Sequence, residues 1–452
     1  MTGPEGRARG RPPARDEILR GGRLGGVEPE VLAERFGTPL YVYDLDVVDR
    51  QVAALRAALP PAMELAYAVK ANPALAVVAH LGAQGLGADI ASAGELELAL
   101  RAGIDPGTIV MTGPGKRDDE LRLAAAAGIR AITVESPGEL ARLDRVAAEL
   151  GRVVPVLLRA SVSAAAGLER VRLVGDEGAG KFGMDVPDLV RSARLALRSR
   201  HLDLLGVHAF GASNVTDAQA LADHVEDTLK MAALLAGRLG FDLRLVDVGG
   251  GLGIPYEPDD RALDLAALGD RLRRIAQSLE ADDVTRRTRV LVEPGRFLVG
   301  PAGAFLARVV DRKIVGGAHV VIVDGGVHQL LRPALVGQEH RVRVLGRSGG
   351  WKAKAFPVTV AGPLCTGLDI LAAHAVLPLP AVGDLVAVLD VGAYGFTESM
   401  PFFLSHPTPA EVAIRDGEAA LIRRRIEPTE WLDRQTILRP VRRTERAARV
   451  RG

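Results

Sequence analysis

The segment YAVKANP, residues 67–73, closes an apolar stretch that begins at Met63. Residues that favour strands are followed there by Asn-Pro, so the pattern predicts a strand that ends in a turn. Lys70 then lies at the strand end among small and apolar neighbours. We expect partial burial to lower the pKa of Lys70, and a neutral amine can form a Schiff base with an aldehyde. A lysine that simply extends to solvent is the structural alternative.

The composition is that of an ordinary globular protein. The chain has 452 residues, 48% hydrophobic and 25% charged, so we expect two domains with a sizeable core. A net charge of +1 gives no general attraction to nucleic acid or to a membrane. No apolar run is long enough to cross a bilayer, and no signal peptide is evident. The single cysteine, Cys365, excludes an internal disulfide and fits a cytoplasmic location.

Working outward from Lys70, strand and helix patterns alternate from Leu45 onward. This alternation predicts a (β/α)8 barrel, or TIM barrel, over residues 45–299. The predicted barrel strands are residues 63–69, 87–90, 108–111, 131–134, 153–159, 204–210, 243–248 and 288–293. Barrels of this kind place their sites at the carboxyl ends of the strands, where Lys70, Phe210, Gly249 and Glu293 fall.

The rest of the chain has a different pattern. Short β segments separated by turns follow Gly300, and they predict a mostly β domain over residues 300–425. The N-terminal segment 21–44 is expected to join that domain through a strand at 39–43. Residues 1–20 are expected to be a disordered arm. The Arg-rich tail 426–452 is expected to be flexible, with docking to an acidic partner as the alternative.

Two strand ends carry residues suited to an anionic ligand. Residues 245–254 form an apolar strand that opens into Gly249-Gly250-Gly251, where backbone N–H groups can converge on a phosphate. A tight turn is the alternative. At the eighth strand end, Glu293 can hold the ring nitrogen of a pyridine cofactor protonated, and Arg296 suits a phosphate or carboxylate. A surface ion pair is the alternative for these two.

Six motifs in order resemble those of the fold-type III pyridoxal-phosphate decarboxylases, the ornithine/diaminopimelate/arginine decarboxylase group. The resemblance covers residues from about 35 to 415 and implies an alanine-racemase-like barrel with a C-terminal β domain. It also implies a homodimer, assembled head to tail, with shared active sites. The motifs are YAVKANP (67–73), DIASAGEL (89–96), DVGGGLGIPY (247–256), EPGR (293–296), GPLCTGLD (362–369) and GAYGF (392–396).

The resemblance also implies roles for individual residues. Lys70 is expected to bind the cofactor covalently, and Cys365 is expected to reach across the dimer interface as a proton donor. Glu293 is expected to pair with the pyridine nitrogen, and no metal is expected. The other cofactor-binding residues expected are Asp89, Phe210, Ser213, Gly250, Gly251, Gly295, Arg296 and Tyr394. The residues expected at the substrate are Asp324, Arg332, Thr366 and Asp369.

Departures from the family pattern concern the substrate. Phe210 stands where the family usually has a histidine stacked on the cofactor ring. Thr366 stands where diaminopimelate decarboxylases carry glutamate and ornithine decarboxylases carry aspartate. Arg332 begins a match to the diaminopimelate pattern, but Val336 replaces its usual tyrosine. The usual contacts to a charged distal end of the substrate are therefore incomplete.

These departures are similar to a branch that decarboxylates aminoacyl groups tethered to carrier proteins in natural-product biosynthesis. The sequence interpretation therefore favours a decarboxylase of an aminoacyl-carrier-protein substrate over one of a free amino acid. A diaminopimelate decarboxylase is the first alternative, and an amino-acid racemase on the same barrel is a weaker one. A pyridoxal-phosphate-binding regulator without activity is the non-enzyme alternative, which the presence of Lys70, Cys365, Asp369 and Glu293 disfavours.

Overall fold

A computed structural model describes residues 18–161, 180–257, 259–345 and 354–438. Within these ranges the chain forms a closed parallel barrel and a second, largely antiparallel sheet. The family-like fold predicted from the motifs is therefore confirmed in its architecture.

Eight parallel strands form the barrel, each hydrogen-bonded to the next along the chain. The barrel closes where the last strand pairs with the first, with Val290 opposite Met63. Apolar side chains such as Val110 and Leu157 fill the interior. The barrel strands are β4 (Met63–Ala68), β5 (Gly87–Ile90), β6 (Ile109–Met111), β7 (Ala131–Val134), β8 (Val154–Arg159), β9 (Leu202–His208), β10 (Leu245–Asp247) and β11 (Arg289–Val292).

Amphipathic helices surround the barrel, and their ends follow local sequence signals. In the helix Pro137–Leu150, the Ser136 hydroxyl accepts the N–H of Glu139, and Gly151 ends the helix in the left-handed region. The barrel helices are α2 (Leu45–Ala58), α3 (Leu75–Ala83), α4 (Ala93–Arg101), α5 (Asp118–Ala127), α6 (Pro137–Leu150), α7 (Val186–Arg198), α8 (Ala218–Leu239) and α9 (Leu265–Ala281).

The second domain combines the N-terminal part of the chain with the C-terminal part. Strand β3 (Leu40–Asp44) pairs with both β12 (Gly303–Val315) and β18 (Ala410–Arg415), so an early segment lies in the middle of the late sheet. The other strands of this domain are β13 (Ala318–Val323), β14 (Val342–Leu345), β15 (Ala355–Ala361), β16 (Ile370–Pro378), β17 (Leu385–Leu389) and β19 (Glu418–Arg423). Short helices α10 (Arg296–Val299) and α11 (Arg332–Val336) adjoin the strands.

The two ends of the described chain are more ordered than the sequence suggests. Residues 1–17 of the expected arm lie outside the described residues, but Ile18 is buried and β1 (Leu19–Arg20) pairs with β2 (Arg23–Leu24). Helix α1 (Pro29–Phe36) follows this hairpin. Residues 18–20 are therefore not part of a disordered arm, because the apolar side chains at 18 and 19 are buried against the second domain.

The expected C-terminal tail also contains structure. Helix α12 (Pro428–Leu432) brings the Trp431 ring against Phe402, with ring centroids 4.3 Å apart. Residues 439–452 of the tail lie outside the described residues. Within the described ranges, no helix is both long and apolar enough to cross a membrane.

Candidate active site

Lys70 lies directly after β4, in a short 3-10 turn over Val69–Ala71. Its ammonium donates a hydrogen bond of 2.5 Å to Asp89 Oδ2 on β5. Asp89 is fully buried, and its other oxygen accepts the Thr112 hydroxyl at 2.8 Å. The Lys70 side chain remains 45% exposed, so a ligand can reach the amine.

The expectation that Lys70 has a lowered pKa is wrong. Loss of water around the ammonium does lower the pKa, but the carboxylates of Asp89 and Glu293 raise it more strongly. The pKa of Lys70 therefore lies above its ordinary value. The sequence prediction considered burial alone, whereas the two carboxylates come from other strands and approach Lys70 only in the fold.

Glu293 lies just beyond β11, at the bottom of the same site. Its Oε2 is 3.6 Å from Nε2 of His208, which ends β9. Burial raises the pKa of Glu293, but contact with His208 and the charge of Lys70 outweigh burial and lower that pKa to about 2. Glu293 is therefore a fixed carboxylate, and its Oε1 is buried without a hydrogen-bond partner among the described residues.

The glycine loop after β10 lies against Glu293. A Cβ on Gly250 would be 2.1 Å from the Glu293 carbonyl oxygen, so this close approach requires glycine. Gly251 has φ +89°, and its Cβ would be 2.5 Å from the carbonyl oxygen of Ala212. In the described part of the chain, the N–H groups of Gly250 and Gly251 have no protein acceptor.

Arg296 completes a set of donors beside that loop. Its Nη2 donates to Ser213 Oγ at 3.3 Å, and its Nη1 donates to the Tyr256 hydroxyl at 2.7 Å. The guanidinium also lies 4.7 Å from the centroid of the Tyr394 ring. Backbone amides, a hydroxyl and a guanidinium together form an arrangement suited to a phosphate.

Gly295 and Phe210 set the packing around these groups. A Cβ on Gly295 would be 2.9 Å from the Ala71 side chain, so glycine allows Arg296 and the Lys70 turn to pack together. The half-buried Phe210 ring lies over Gly249, where a Cβ would be 2.8 Å from Cδ2 of the ring. The structure thus brings Lys70 and the expected cofactor-binding residues to one end of the barrel.

Tyr394 belongs to the second domain but reaches the barrel site within one chain. Its N–H donates to the Ala71 carbonyl at 2.7 Å, and Asn72 Nδ2 donates to the Gly392 carbonyl at 2.9 Å. The resemblance implies a site shared between subunits, but Tyr394 needs no second subunit to reach the barrel, because its loop is bonded directly to the Lys70 turn of the same chain.

The residues expected at the substrate lie in the second domain and are not all side by side. Cys365 is exposed and Thr366 is half-buried, on the loop between β15 and β16. Asp369 is buried, and its two oxygens accept the N–H groups of Val327 and Leu364 at 2.7 and 2.6 Å. Asp369 therefore holds this loop in place.

Asp324 and Arg332 have different surroundings. Asp324 accepts the Thr38 hydroxyl and, at 2.8 Å, the N–H of Arg308, so it links the N-terminal segment to the sheet. Arg332 is fully buried, pairs with Glu398 at 2.9 Å, and has its guanidinium 4.9 Å from the Tyr394 ring centroid.

Sequence reasoning missed two buried members of the site, His208 and Asp247. Both residues end barrel strands and lie close in sequence to residues that were predicted to belong to the site. His208 is two positions before Phe210, and Asp247 is two positions before Gly249. A polar residue that ends an otherwise apolar barrel strand was the available signal.

Comparison with known proteins agrees with this geometry. The model of the family described as "Pyridoxal-dependent decarboxylase, pyridoxal binding domain" matches residues 45–300, more than half of the chain. The chain belongs to this decarboxylase family. It is therefore a pyridoxal-phosphate-dependent carboxy-lyase that acts on an amino acid.

Individual relatives match this decarboxylase over most of its length. Diaminopimelate decarboxylase from Aquifex aeolicus is 34% identical over 402 residues, covering 89% of this chain and 92% of that protein. L-glutamyl-[BtrI acyl-carrier protein] decarboxylase from Niallia circulans is 32% identical over 415 residues, covering 89% and 94%. The structure of Helicobacter pylori diaminopimelate decarboxylase with L-lysine has a TM-score of 0.81 and 29% identity, covering 89% and 98%.

The residues of the decarboxylase site fit pyridoxal phosphate. An accessible amine at Lys70, the fixed carboxylate of Glu293 and, among the described residues, unpaired N–H groups at Gly250 and Gly251 match its aldehyde, ring nitrogen and phosphate. This cofactor supplies an aldehyde for the substrate amine and a ring that takes up the electron pair left when CO2 departs.

Proposed function

We propose that this decarboxylase acts on meso-diaminopimelate and forms L-lysine. This differs from the interpretation of the sequence alone, which favoured a carrier-tethered substrate. Support comes from the Aquifex and Helicobacter relatives, both diaminopimelate decarboxylases that match nearly the whole chain. It also comes from the charge distribution around Tyr394.

The observation that carries the proposal is a second buried guanidinium beside the cofactor site. Arg332 and Arg296 both lie within 5 Å of the Tyr394 ring centroid, at 4.9 and 4.7 Å. Among the described residues, Nη2 of Arg332 is buried and has no acceptor. A carboxylate at the far end of the substrate would satisfy that donor. Diaminopimelate has such a carboxylate, whereas a substrate joined to a carrier through a thioester there has none.

The proposed roles of the protein groups follow from their positions. Ser213, Arg296 and the glycine loop would bind the phosphate, and Glu293 would keep a negative charge at the ring nitrogen. Lys70 would hold the cofactor until the substrate amine replaces it. After CO2 leaves, a proton must reach the α-carbon, and the thiol of Cys365 is the proposed donor.

The resemblance that gives Cys365 this role also implies a second copy of the chain. The thiol is exposed on the β15–β16 loop, so in one chain it is open to contact from another. We infer a homodimer in which this loop reaches the partner's barrel. Mixing inactive Lys70→Ala with inactive Cys365→Ala chains should restore part of the activity, because one of the two sites in each heterodimer would be intact. No recovery after verified subunit exchange would contradict a shared site.

A carrier-tethered aminoacyl group is the second candidate. Thr366 is neutral where a carboxylate would pair with a distal ammonium, and the Niallia relative acts on an acyl-carrier protein. Losing one hydrogen bond to a charged group costs about 1.5–3 kcal/mol, roughly a ten- to hundredfold loss in binding. A carrier protein could offset that loss with contacts outside the pocket.

One assay separates the two candidates. Release of CO2 is followed with free meso-diaminopimelate, lysine, ornithine and an aminoacyl carrier thioester. We expect diaminopimelate to be turned over best, with kcat/KM above about 10⁴ M⁻¹s⁻¹. Clear preference for the thioester would refute the diaminopimelate proposal.

A variant makes the assay specific to the distal carboxylate. Arg332→Gln should lower kcat/KM for diaminopimelate by roughly ten- to hundredfold, because a charge-assisted hydrogen bond is lost. Arg332→Lys retains the charge and should lose less. Thermal unfolding of both variants controls for the ion pair between Arg332 and Glu398. Equal losses on diaminopimelate and the thioester would show that Arg332 does not recognise the distal group.

A further inference from the structure

Three buried side chains from neighbouring barrel strands meet beneath the cofactor site. His208 ends β9, Asp247 ends β10, and Glu293 follows β11. All three are at most 5% exposed, and one ligand atom from each lies within 4.8 Å of the others. The substrate and cofactor roles described above use only Glu293, so the other two groups need an explanation.

Each of the two carboxyl groups has one buried oxygen for which the described residues supply no donor. Asp247 Oδ1 accepts the N–H of Gly249 at 2.9 Å. Asp247 Oδ2 and Glu293 Oε1 are both buried, and neither has a protein donor among the described residues. Ionised carboxylates only accept hydrogen bonds, and two buried negative charges this close repel each other strongly. One shared proton removes both problems.

The surroundings decide which carboxyl group keeps the proton. Burial and then the negative charge of Glu293 raise the pKa of Asp247 well above its usual value. For Glu293, the nearby His208 and Lys70 outweigh burial, and its pKa falls to about 2. Glu293 thus has cationic or donor neighbours, whereas Asp247 has a single backbone donor.

We propose that Asp247 is a neutral acid that donates a hydrogen bond to Glu293, so that the group carries one negative charge, fixed on Glu293. His208, on β9, lies 3.6 Å from the other oxygen of Glu293. Asp247 and His208 are positioning residues, since they act on the cofactor only through Glu293. The ionisation of His208, Asp247 and Glu293 does not depend on which amino acid is decarboxylated.

Infrared spectroscopy of the full-length protein tests the proton directly, with and without pyridoxal phosphate. We expect the infrared spectrum of wild type minus that of Asp247→Asn to show the C=O stretching band of a buried protonated carboxyl, and this difference band should shift in D2O. Asp270→Asn, on the exposed face of α9, is the matched control and should give no such difference band. Absence of the difference band for Asp247→Asn would overturn the proposal.

Two further measurements test whether Asp247 acts as a hydrogen-bond donor and whether the three side chains bind a metal ion instead. Asp247→Leu removes the donor and should lower kcat/KM by roughly ten- to hundredfold. Asp247→Asn keeps a neutral donor and should recover most of that loss. Equal damage in both variants would refute a donor role for Asp247. Stoichiometric divalent metal, found by mass spectrometry in the purified protein, would show that the cluster is a metal site and overturn the proposal.

Should Asp247→Leu fail to fold, the infrared comparison of wild type with Asp247→Asn still decides the question. That comparison needs neither substrate nor turnover. A negative substrate assay therefore leaves the inference intact, and a negative infrared result leaves the choice of substrate intact.

Discussion

Gly250→Ala tests the cofactor site at its tightest backbone contact. The new Cβ would lie 2.1 Å from the carbonyl oxygen of Glu293 and 3.0 Å from its carbonyl carbon. Carbon and oxygen atoms that are not bonded need about 3.2 Å, so the glycine loop and the end of β11 must separate by roughly 1 Å. The hydrogen bond from the N–H of Glu293 to the Gly249 carbonyl, 2.8 Å long, lies in the same contact.

The expected cost follows from these two contacts. Overpacking at a buried site costs about 1–3 kcal/mol, and loss of one backbone hydrogen bond adds about 0.5–1.5 kcal/mol. We expect the free energy of unfolding to fall by roughly 2–4 kcal/mol. Glu293 and the phosphate donors move together, so we also expect affinity for pyridoxal phosphate to fall at least about tenfold, or 1.4 kcal/mol.

Urea unfolding and titration with pyridoxal phosphate measure the two effects. Gly237→Ala is the matched control, because Gly237 lies in helix α8 with open space around its Cβ position. That change should stabilise the protein by about 0.5–1 kcal/mol and leave cofactor affinity unchanged. Wild-type stability and affinity in Gly250→Ala would refute the assigned contact between the glycine loop and Glu293.

Three other predictions concern the lysine, a buried histidine and the link between domains. Lys70→Ala should leave no covalent cofactor after borohydride reduction and dialysis, and a retained adduct would exclude Lys70 as the attachment point. Burial lowers the pKa of His340 to about 4. Between about pH 6.5 and 4 the unfolded chain therefore binds more protons than the folded chain, and stability decreases as the pH is lowered. One such histidine lowers the free energy of unfolding by about 2 kcal/mol at pH 5. In His340→Gln, the fall in the free energy of unfolding with decreasing pH, measured by urea unfolding, should be smaller by that amount. Asn72→Ala removes the bond to the Gly392 carbonyl and should lower stability by about 1–2 kcal/mol, whereas an unchanged urea midpoint would show that this link contributes nothing.

The barrel was predictable because its signals are local. Each strand is a short apolar run, and each helix shows the spacing of an amphipathic surface. The predicted strands differ from the observed ones by a few residues at the ends, as between 204–210 and Leu202–His208. Because the strand–helix unit repeats eight times, the pattern predicts a (β/α)8 barrel.

The second domain was harder to predict because some strands lack clear alternation. Strand β16 (Ile370–Pro378) contains several alanines, and β19 (Glu418–Arg423) is largely exposed on the edge of the sheet. Strand β14 (Val342–Leu345) is only four residues long. These segments form strands because neighbouring strands supply hydrogen bonds. The β-propensity of a segment does not include that contribution.

In the candidate site, the positions were predictable and their electrostatics were not. Lys70 and Glu293 were found from strand ends and motifs. The raised pKa of Lys70 depends on Asp89, which lies on the neighbouring strand. Likewise, the proposed proton on Asp247 depends on Glu293, 46 positions away in sequence. Distances between strands decide such effects, so a list of motifs cannot give them.

Tyr394 links the candidate cofactor site to the proposed distal subsite within one chain. Its backbone has a positive φ of 54°, and its N–H is bonded to the Ala71 carbonyl beside Lys70. Its ring lies between contacts to Arg296, in the phosphate set, and to Arg332, in the proposed distal subsite. A displacement of this tyrosine would therefore disturb both subsites at once. We therefore expect a substitution at Thr366, half-buried on the β15–β16 loop, to change substrate preference without disturbing this link.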